Sequence, residues 1–284
     1  MIEQLHTDEG TIVYDLSGTG PLVVLAHGMG DSRHSYRFVV PELVAAGYRV
    51  ANVDIRGCGD SSTGWKGYER ADIARDLVTL VRHLGGPAVL VGQSISGGAA
   101  TIAAATAPEL IAGVVELAPF TRKQSADLRG LLKNARHRAG SLQLMKVMAT
   151  GSLKGWLAYL DIAVPAKPAD WEVERRRIET TLAQPDRKAV LQAMTRTSPA
   201  DAGARLADVR CPVLVVEGGA DPDWADPRAE GLRILGDLQS GLGELAMLDG
   251  VGHYPHAEAP EALLALVKPF LSRTLTTTGT ATDA

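Results

Sequence analysis

Short runs of consecutive apolar residues alternate with longer amphipathic stretches along most of the 284-residue chain. The apolar runs predict seven strands, at 11–16, 22–27, 48–54, 88–93, 113–118, 212–217 and 244–248. Helical periodicity between them predicts helices near 35–46, 70–84, 97–107, 226–239 and 260–273. Strands that are apolar throughout are typical of parallel sheets covered on both faces. The pattern therefore predicts an α/β fold with a mostly parallel central sheet and helices on both faces.

The alternation stops between 121 and 208, where several helical patterns but no convincing strand occur. We expect 121–208 to form an all-helical insertion in a core made of 1–120 and 209–273. Residues 274–284 are rich in Thr, Ala and Gly, which predicts a disordered tail.

The stretch 142–162 is poor in charge and rich in large apolar side chains, so we expect it to face the functional site. Its candidates for a substrate pocket are the adaptable or aromatic side chains Met145, Met148, Trp156 and Tyr159. The alternative is that these residues pack between the helices of the insertion.

Composition narrows the class of protein. Hydrophobic residues make up 45% and charged residues 22%, which is ordinary for a globular enzyme. A net charge of −4 offers no cationic field for a nucleic-acid partner. No run of 18 apolar residues predicts a transmembrane segment, and the first residues do not resemble a signal peptide. Only two cysteines are present, so we expect a reducing, cytoplasmic location. The sequence leaves the oligomeric state open.

The run 88–98 contains the most informative chemistry. Four apolar residues lead into Gly92, Ser94 follows two positions later, and a run of small residues comes next. Such a strand, tight turn and helix start is typical of a nucleophile elbow, in which small residues must flank the serine because strand and helix nearly touch. Ser96 stands where this pattern usually has its second small residue, a glycine, and is the rival nucleophile. The spacing from the strand and from Gly92 favours Ser94.

Two further motifs follow in the order that a catalytic triad would need. A strand pattern ends in the loop acid Asp221, and a later loop carries His253 ahead of a helix. An acid that orients a histidine, and a histidine that deprotonates a serine, form the Ser-His-Asp arrangement. Three acids near Asp221, namely Glu217, Asp223 and Asp226, and one histidine near His253, namely His256, are the competing candidates.

With the glycine-rich turn after His27 and the turn that follows Asp54, these motifs make the chain resemble the α/β-hydrolase superfamily. The resemblance covers residues from about 11 to 272, apart from the middle. Within the superfamily, the chain resembles the branch of esterases, perhydrolases and C–C hydrolases with a helical cap, and the resemblance implies that the insertion 121–208 is this cap. It implies an oxyanion hole made by the backbone N–H groups of Met29 and Ile95. It also implies that His27 is structural.

The resulting hypothesis is a serine hydrolase that cleaves an ester, lactone or thioester bond of a small, mostly apolar acyl substrate. It needs no cofactor, and no metal-binding motif occurs. The alternatives are a small-molecule receptor that turns over slowly on the same fold, and a C–C bond hydrolase.

Overall fold

The computed structural model describes residues 1–123 and 128–276. Eight strands form one sheet: β1 (Ile2–His6), β2 (Thr11–Ser17), β3 (Leu22–Ala26), β4 (Arg49–Asp54), β5 (Ala88–Gln93), β6 (Ile111–Leu117), β7 (Val213–Gly218) and β8 (Gly243–Leu248). Their order is β1-β2-β4-β3-β5-β6-β7-β8. β1 and β2 are antiparallel to their neighbours, whereas all pairs from β4 to β8 are parallel.

Helices lie between and after these strands. The α-helices are α1 (Val40–Ala45), α2 (Arg70–His83), α3 (Ile95–Thr106), α4 (Leu128–Lys133), α5 (Ala135–Thr150), α6 (Leu153–Ala163), α7 (Trp171–Leu182), α8 (Pro185–Met194), α9 (Ala200–Gly203), α10 (Pro227–Asp237), α11 (Pro255–Glu258) and α12 (Pro260–Thr276). Two short 3₁₀ helices cover Arg33–Tyr36 and Leu206–Asp208. The predicted α/β fold and its mostly parallel sheet are therefore confirmed. In the described part of 121–208, all the regular elements are helices.

The two faces of the sheet divide the core. In β5, Ala88 and Leu90 belong to the cluster that also contains residues of α2 and α3, whereas Val89 and Val91 belong to the cluster around α12. Each of these side chains is at most 2% exposed. Successive residues of a strand point to opposite faces, so an unbroken apolar run is what a sheet covered on both sides requires.

The structure departs from the sequence prediction in several places. β1 is not among the predicted strands, because it is an edge strand in which only Leu5 is buried. The helix predicted near 35–46 is divided, since a 3₁₀ turn ends before α1 begins. Residues 274–276 of the predicted disordered tail are helical instead, because α12 continues through Thr276 with Thr274 and Leu275 buried. Residues 277–284 lie outside the described part of the chain. Within 1–123 and 128–276, no helix is both long and apolar enough to cross a membrane.

Candidate active site

Ser94 lies at the turn between β5 and α3 in an unusual backbone conformation. Its φ and ψ are 56° and −118°, a region that costs a non-glycine residue about 1–3 kcal/mol. Hydrogen bonds from both sides hold it there. The Ser94 N–H donates to the carbonyl of Leu117 over 3.0 Å, and the Ser94 carbonyl accepts from the N–H of Phe120 over 3.1 Å. Because such strain persists only where the surroundings enforce it, this conformation supports a functional role for Ser94.

The residues on either side of Ser94 explain how the turn closes. A Cβ atom at Gly92 would lie 2.2 Å from the carbonyl oxygen of Ser96, so only glycine fits at that position. Ser96 is fully buried, and its hydroxyl donates to the carbonyl of His27 over 2.6 Å. A serine therefore fits where glycine is usual, because its hydroxyl has a partner inside the protein.

Two carboxylates lie beside the Nδ1 atom of His253. The Nδ1 atom of His253 donates to Oδ2 of Asp221 over 2.7 Å and lies 3.3 Å from Oδ2 of Asp223. The Asp223 N–H in turn donates to Oδ1 of Asp221 over 2.9 Å. The two other acids weighed from the sequence lie elsewhere. Asp226 caps α10, and Glu217 is buried within β7.

These carboxylates shift the titration of the histidine. Burial would lower the pKa of His253, but the charges of Asp221 and Asp223 and the hydrogen bond from Asp221 outweigh it and raise that pKa to about 9. Burial also raises the pKa of Asp223 to about 7, against the opposing influence of His253. The two carboxylates therefore favour the protonated form of the His253 imidazole ring.

Contacts from the core and the cap fix the loop that carries His253. The His253 N–H donates to the carbonyl of Ala163 at the end of α6 over 2.8 Å. The side-chain amide of Gln93, which precedes the candidate nucleophile, donates to the His253 carbonyl over 2.9 Å. Glu258 accepts from the N–H groups of Gly252 and Tyr254, each over 3.0 Å. The histidine is thus positioned by its backbone as well as by its ring.

The rival histidine has a different environment. His256 is fully buried and stacks on Tyr36 with 4.4 Å between ring centroids. Neither ring nitrogen has a hydrogen-bond partner in the described part of the chain. Burial, with smaller contributions from Arg37, His253 and His27, lowers the pKa of His256 to about 3. The geometry gives His256 the character of a neutral core residue.

Ser94 and His253 line one cavity of about 300 Å³, which we call the Ser94 cavity. Its core wall is formed by Gly28, Met29, Arg70, Gln93, Ser94, Phe120, Asp223, His253 and Tyr254. The remaining wall comes from 121–208 and is called the cap wall; it is formed by Lys123, Leu144, Met148, Trp156, Tyr159, Met194, Thr195, Thr197, Ser198 and Pro199. Both predicted oxyanion donors adjoin it, because Met29 lines the cavity and Ile95 is the first residue of α3. The first N–H groups of a helix have no partner within the helix.

Three of the four predicted pocket residues line the Ser94 cavity, and Met145 does not. Met145 lines an adjoining outer groove of about 790 Å³ that also contacts Leu131, His137 and Trp224. It belongs to α5, and its side chain is 53% exposed. Tyr159 differs from the expected apolar role, since its hydroxyl lies 2.7 and 2.8 Å from the two carboxylate oxygens of Asp223.

Sequence reasoning missed two cations of the cavity wall, Arg70 and Lys123. Neither belongs to a local motif, and both reach the cavity only through the tertiary fold. The double contact of His253 has no signal in the sequence, because Asp223 is there a competitor of Asp221 and not an additional partner of the histidine.

One group of acidic and histidine side chains in the described ranges has the spacing of a metal site. The ligand atoms of Asp221, Asp223 and His253 lie within 4.8 Å of one another, and all three residues are buried. The Nδ1 atom of His253 already pairs with both carboxylates, and Tyr159 donates to Asp223. This set is therefore already satisfied by hydrogen bonds among its own members and Tyr159.

Known proteins resemble this chain over nearly its whole length. Residues 23–266 match the model of the alpha/beta hydrolase family. The 2-(acetamidomethylene)succinate hydrolase of Mesorhizobium japonicum is 30% identical over 279 residues, covering 94% of each chain. The 2-hydroxy-6-oxononadienedioate/2-hydroxy-6-oxononatrienedioate hydrolase of Burkholderia vietnamiensis is 28% identical, covering 94% of this chain and 93% of its own.

A solved structure shares the fold. The thermophilic esterase from Thermogutta terrifontis superposes with a TM-score of 0.74 at 22% identity, covering 97% of this chain and 99% of the esterase. Together with the sheet order and the match over 23–266, these likenesses establish that the chain belongs to the alpha/beta hydrolase family.

Proposed function

We propose that the protein is a serine hydrolase that cleaves an ester-like bond of a small acyl substrate. The observation that carries this proposal is the pairing of His253 with Asp221 over 2.7 Å in the cavity that Ser94 reaches from a strained turn. A hydroxyl on such a turn, with a buried and oriented imidazole in the same cavity, is the arrangement that nucleophilic acyl transfer requires.

In the proposed reaction, Ser94 attacks the carbonyl carbon while His253 takes the hydroxyl proton through Nε2. Asp221 holds the Nδ1 proton and stabilises the imidazolium that forms. The N–H groups of Met29 and Ile95 stabilise the developing oxyanion. His253 then protonates the leaving group, and a water molecule, deprotonated by the same ring, releases the acyl group from Ser94. No step needs a cofactor.

The raised pKa of His253 has a consequence for this reaction. The ring must be neutral to accept the proton of Ser94, yet its pKa of about 9 keeps it protonated at neutral pH in the free enzyme. We therefore expect kcat/KM to increase with pH until the ring is deprotonated. Asp223, as the second carboxylate at Nδ1, is proposed as a positioning residue that tunes this pKa.

The walls of the Ser94 cavity support a mostly apolar substrate. Leu144, Met148, Trp156 and Met194 contribute apolar surface, and a volume of about 300 Å³ suits a small molecule. An ester, a lactone and a thioester offer Ser94 the same acyl carbon. The cytoplasmic location expected from the sequence stays a prediction. Cys58 and Cys211, which are both free and buried, agree with it.

Hydrolysis of a panel of neutral p-nitrophenyl esters tests the proposal. The wild-type protein should turn over medium-length esters, and Ser94→Ala should abolish this turnover. Ser96→Ala is the matched control, because its hydroxyl is buried against His27 and should affect folding rather than chemistry. Negligible turnover together with stabilisation of the cap by a bound ester would favour the receptor alternative.

A further inference from the structure

The wall of the Ser94 cavity contains a buried arginine, Arg70, that no acid among the described residues neutralises directly. Arg70 is 2% exposed and belongs to no ion pair within residues 1–123 and 128–276. Arg56 is equally buried but is held by Asp76 through two hydrogen bonds of 2.7 and 2.8 Å. A buried charge is costly unless it is paired, so the contrast between these arginines indicates that Arg70 lacks an anion among the described residues.

The surroundings of Arg70 hold its side chain in a defined position. Its Nε atom donates to the carbonyl of Phe120 over 2.8 Å, and one Nη atom donates to the hydroxyl of Thr197 over 3.1 Å. The side chain passes across Gly98 of α3, where a Cβ atom would lie 2.8 Å from the Cδ atom of Arg70. Glycine at this position gives the arginine its route to the cavity.

The same contacts connect Arg70 to the candidate nucleophile. Phe120 accepts from Arg70 through its carbonyl and donates to the carbonyl of Ser94 through its N–H. Arg70 and Ser94 therefore line one cavity and are bridged by a single residue. Of the five N–H donors of a guanidinium group, these contacts use two, which leaves three for a ligand.

Arg70 carries a positive charge at neutral pH despite its burial. Burial lowers its pKa to about 10, and the more distant acids Asp201 and Glu69 only partly oppose that shift. The guanidinium is therefore a cation at neutral pH, and its planar fork matches the two oxygens of a carboxylate.

We propose that Arg70 is the anchor for a carboxylate group of the substrate, so that the site selects a mostly apolar ester that carries one carboxylate. The proposal rests on the proposed function of Ser94. Lys123 lines the same cavity but is exposed, so solvent screens its charge more strongly than that of Arg70.

Two matched pairs of esters test the anchor, one for each side of the scissile bond. Mono-p-nitrophenyl adipate carries a carboxylate on the acyl side, and p-nitrophenyl 6-methylheptanoate replaces it with an isopropyl group. A second pair, 4-hexanoyloxybenzoate and its methyl ester, does the same for the leaving group. The measured quantity is the ratio of kcat/KM for the charged ester to that for its neutral partner.

In the wild-type protein, at least one pair should favour the charged ester. Arg70→Gln should reduce that ratio by about 10- to 100-fold, which corresponds to one lost charge-assisted hydrogen-bonded pair. The loss should arise mainly in KM, and Arg70→Lys should restore part of it. Arg82→Gln removes the same charge from an exposed position of α2 and should leave the ratio unchanged.

A general loss of folding would lower kcat/KM for both members of a pair and leave the ratio intact. An unchanged ratio in Arg70→Gln for both pairs would therefore overturn the anchor. If neither charged nor neutral esters are hydrolysed, the proposed function fails instead. Calorimetric titration of adipate into Ser94→Ala, with Arg70 present or changed to Gln, then decides the anchor. Equal affinity for the two proteins would refute it.

Discussion

The core wall and the cap wall of the Ser94 cavity are built in different ways. On the core side, Ser94 lies directly after β5 and His253 lies in the loop between β8 and α11, and backbone hydrogen bonds hold each one. On the cap side, Met148 and Trp156 come from separate helices and line the cavity with their side chains. Rigid strand ends support positions that must be accurate for chemistry, whereas a helical wall supports a shape that can vary.

Substitutions on the two walls should therefore have different effects on activity. On the core wall, changes of Ser94 and His253 should lower kcat for every substrate, because they affect bonds made in the transition state, whereas a change of Arg70 should affect only substrates that carry a carboxylate. Changes on the cap wall should alter which substrate is preferred. One contact crosses the boundary, since Tyr159 of the cap donates to Asp223 beside His253.

The largest effects should follow changes of His253 and Asp221. His253→Ala and Asp221→Asn should each lower kcat on a neutral p-nitrophenyl ester by about a hundredfold or more, because triad members act as a unit. His256→Phe, which keeps a ring stacked on Tyr36, is the matched control and should cost far less. A greater loss from the His256 change would reverse the assignment of base and core residue.

Chain length should have the next largest effect. Two additional buried methylenes in the acyl group should raise kcat/KM by roughly tenfold over the acetyl ester, at about 0.8 kcal/mol each. Steady-state kinetics on a series of neutral p-nitrophenyl esters measures this. A flat or falling series beyond acetyl would contradict an apolar cap wall.

A shift of the pH profile should separate the two carboxylates at His253. The rising limb of kcat/KM for a neutral ester should lie near the pKa of about 9. Asp223→Asn removes a negative charge that favours the imidazolium, so it should move this limb to lower pH. A limb that stays in place in this variant would show that Asp223 does not tune His253.

The smallest effect should distinguish two methionines of α5 that are almost equally exposed. Met148 is 50% exposed and lines the Ser94 cavity, whereas Met145 is 53% exposed and lines only the outer groove. Met148→Ala should reduce the preference for medium-length esters by about threefold, since part of one apolar contact is lost. Met145→Ala should leave that preference unchanged. Equal effects of the two changes would contradict the boundary drawn between cavity and groove.

The same contrast determines what could be predicted from the sequence. The strands of the core were predictable because burial on both faces leaves unbroken apolar runs, and the turn at Ser94 was predictable because Gly92 must be small. β1 was missed because an edge strand with one buried residue lacks such a run. Contacts that depend on distant segments have no local signal, as with Arg70 at the cavity wall and Asp223 beside the histidine.

The cap gave the least accurate residue predictions for a related reason. A stretch rich in methionine and aromatic side chains predicts apolar packing, but it does not specify which face of each helix meets the core. The sequence therefore does not distinguish Met145 from Met148, whereas the structure places only Met148 at the Ser94 cavity. In the same way, the hydroxyl of Tyr159 became significant only through its contact with Asp223.

Labelling with a fluorophosphonate, followed by peptide mass spectrometry, tests the central claim most directly, because the reagent reports which hydroxyl is activated. We expect the phosphonate on Ser94 in the wild-type protein and in Ser96→Ala. We expect no label in Ser94→Ala and slower labelling in His253→Ala. A label on Ser96, or one that persists in a folded Ser94→Ala variant, would contradict the account.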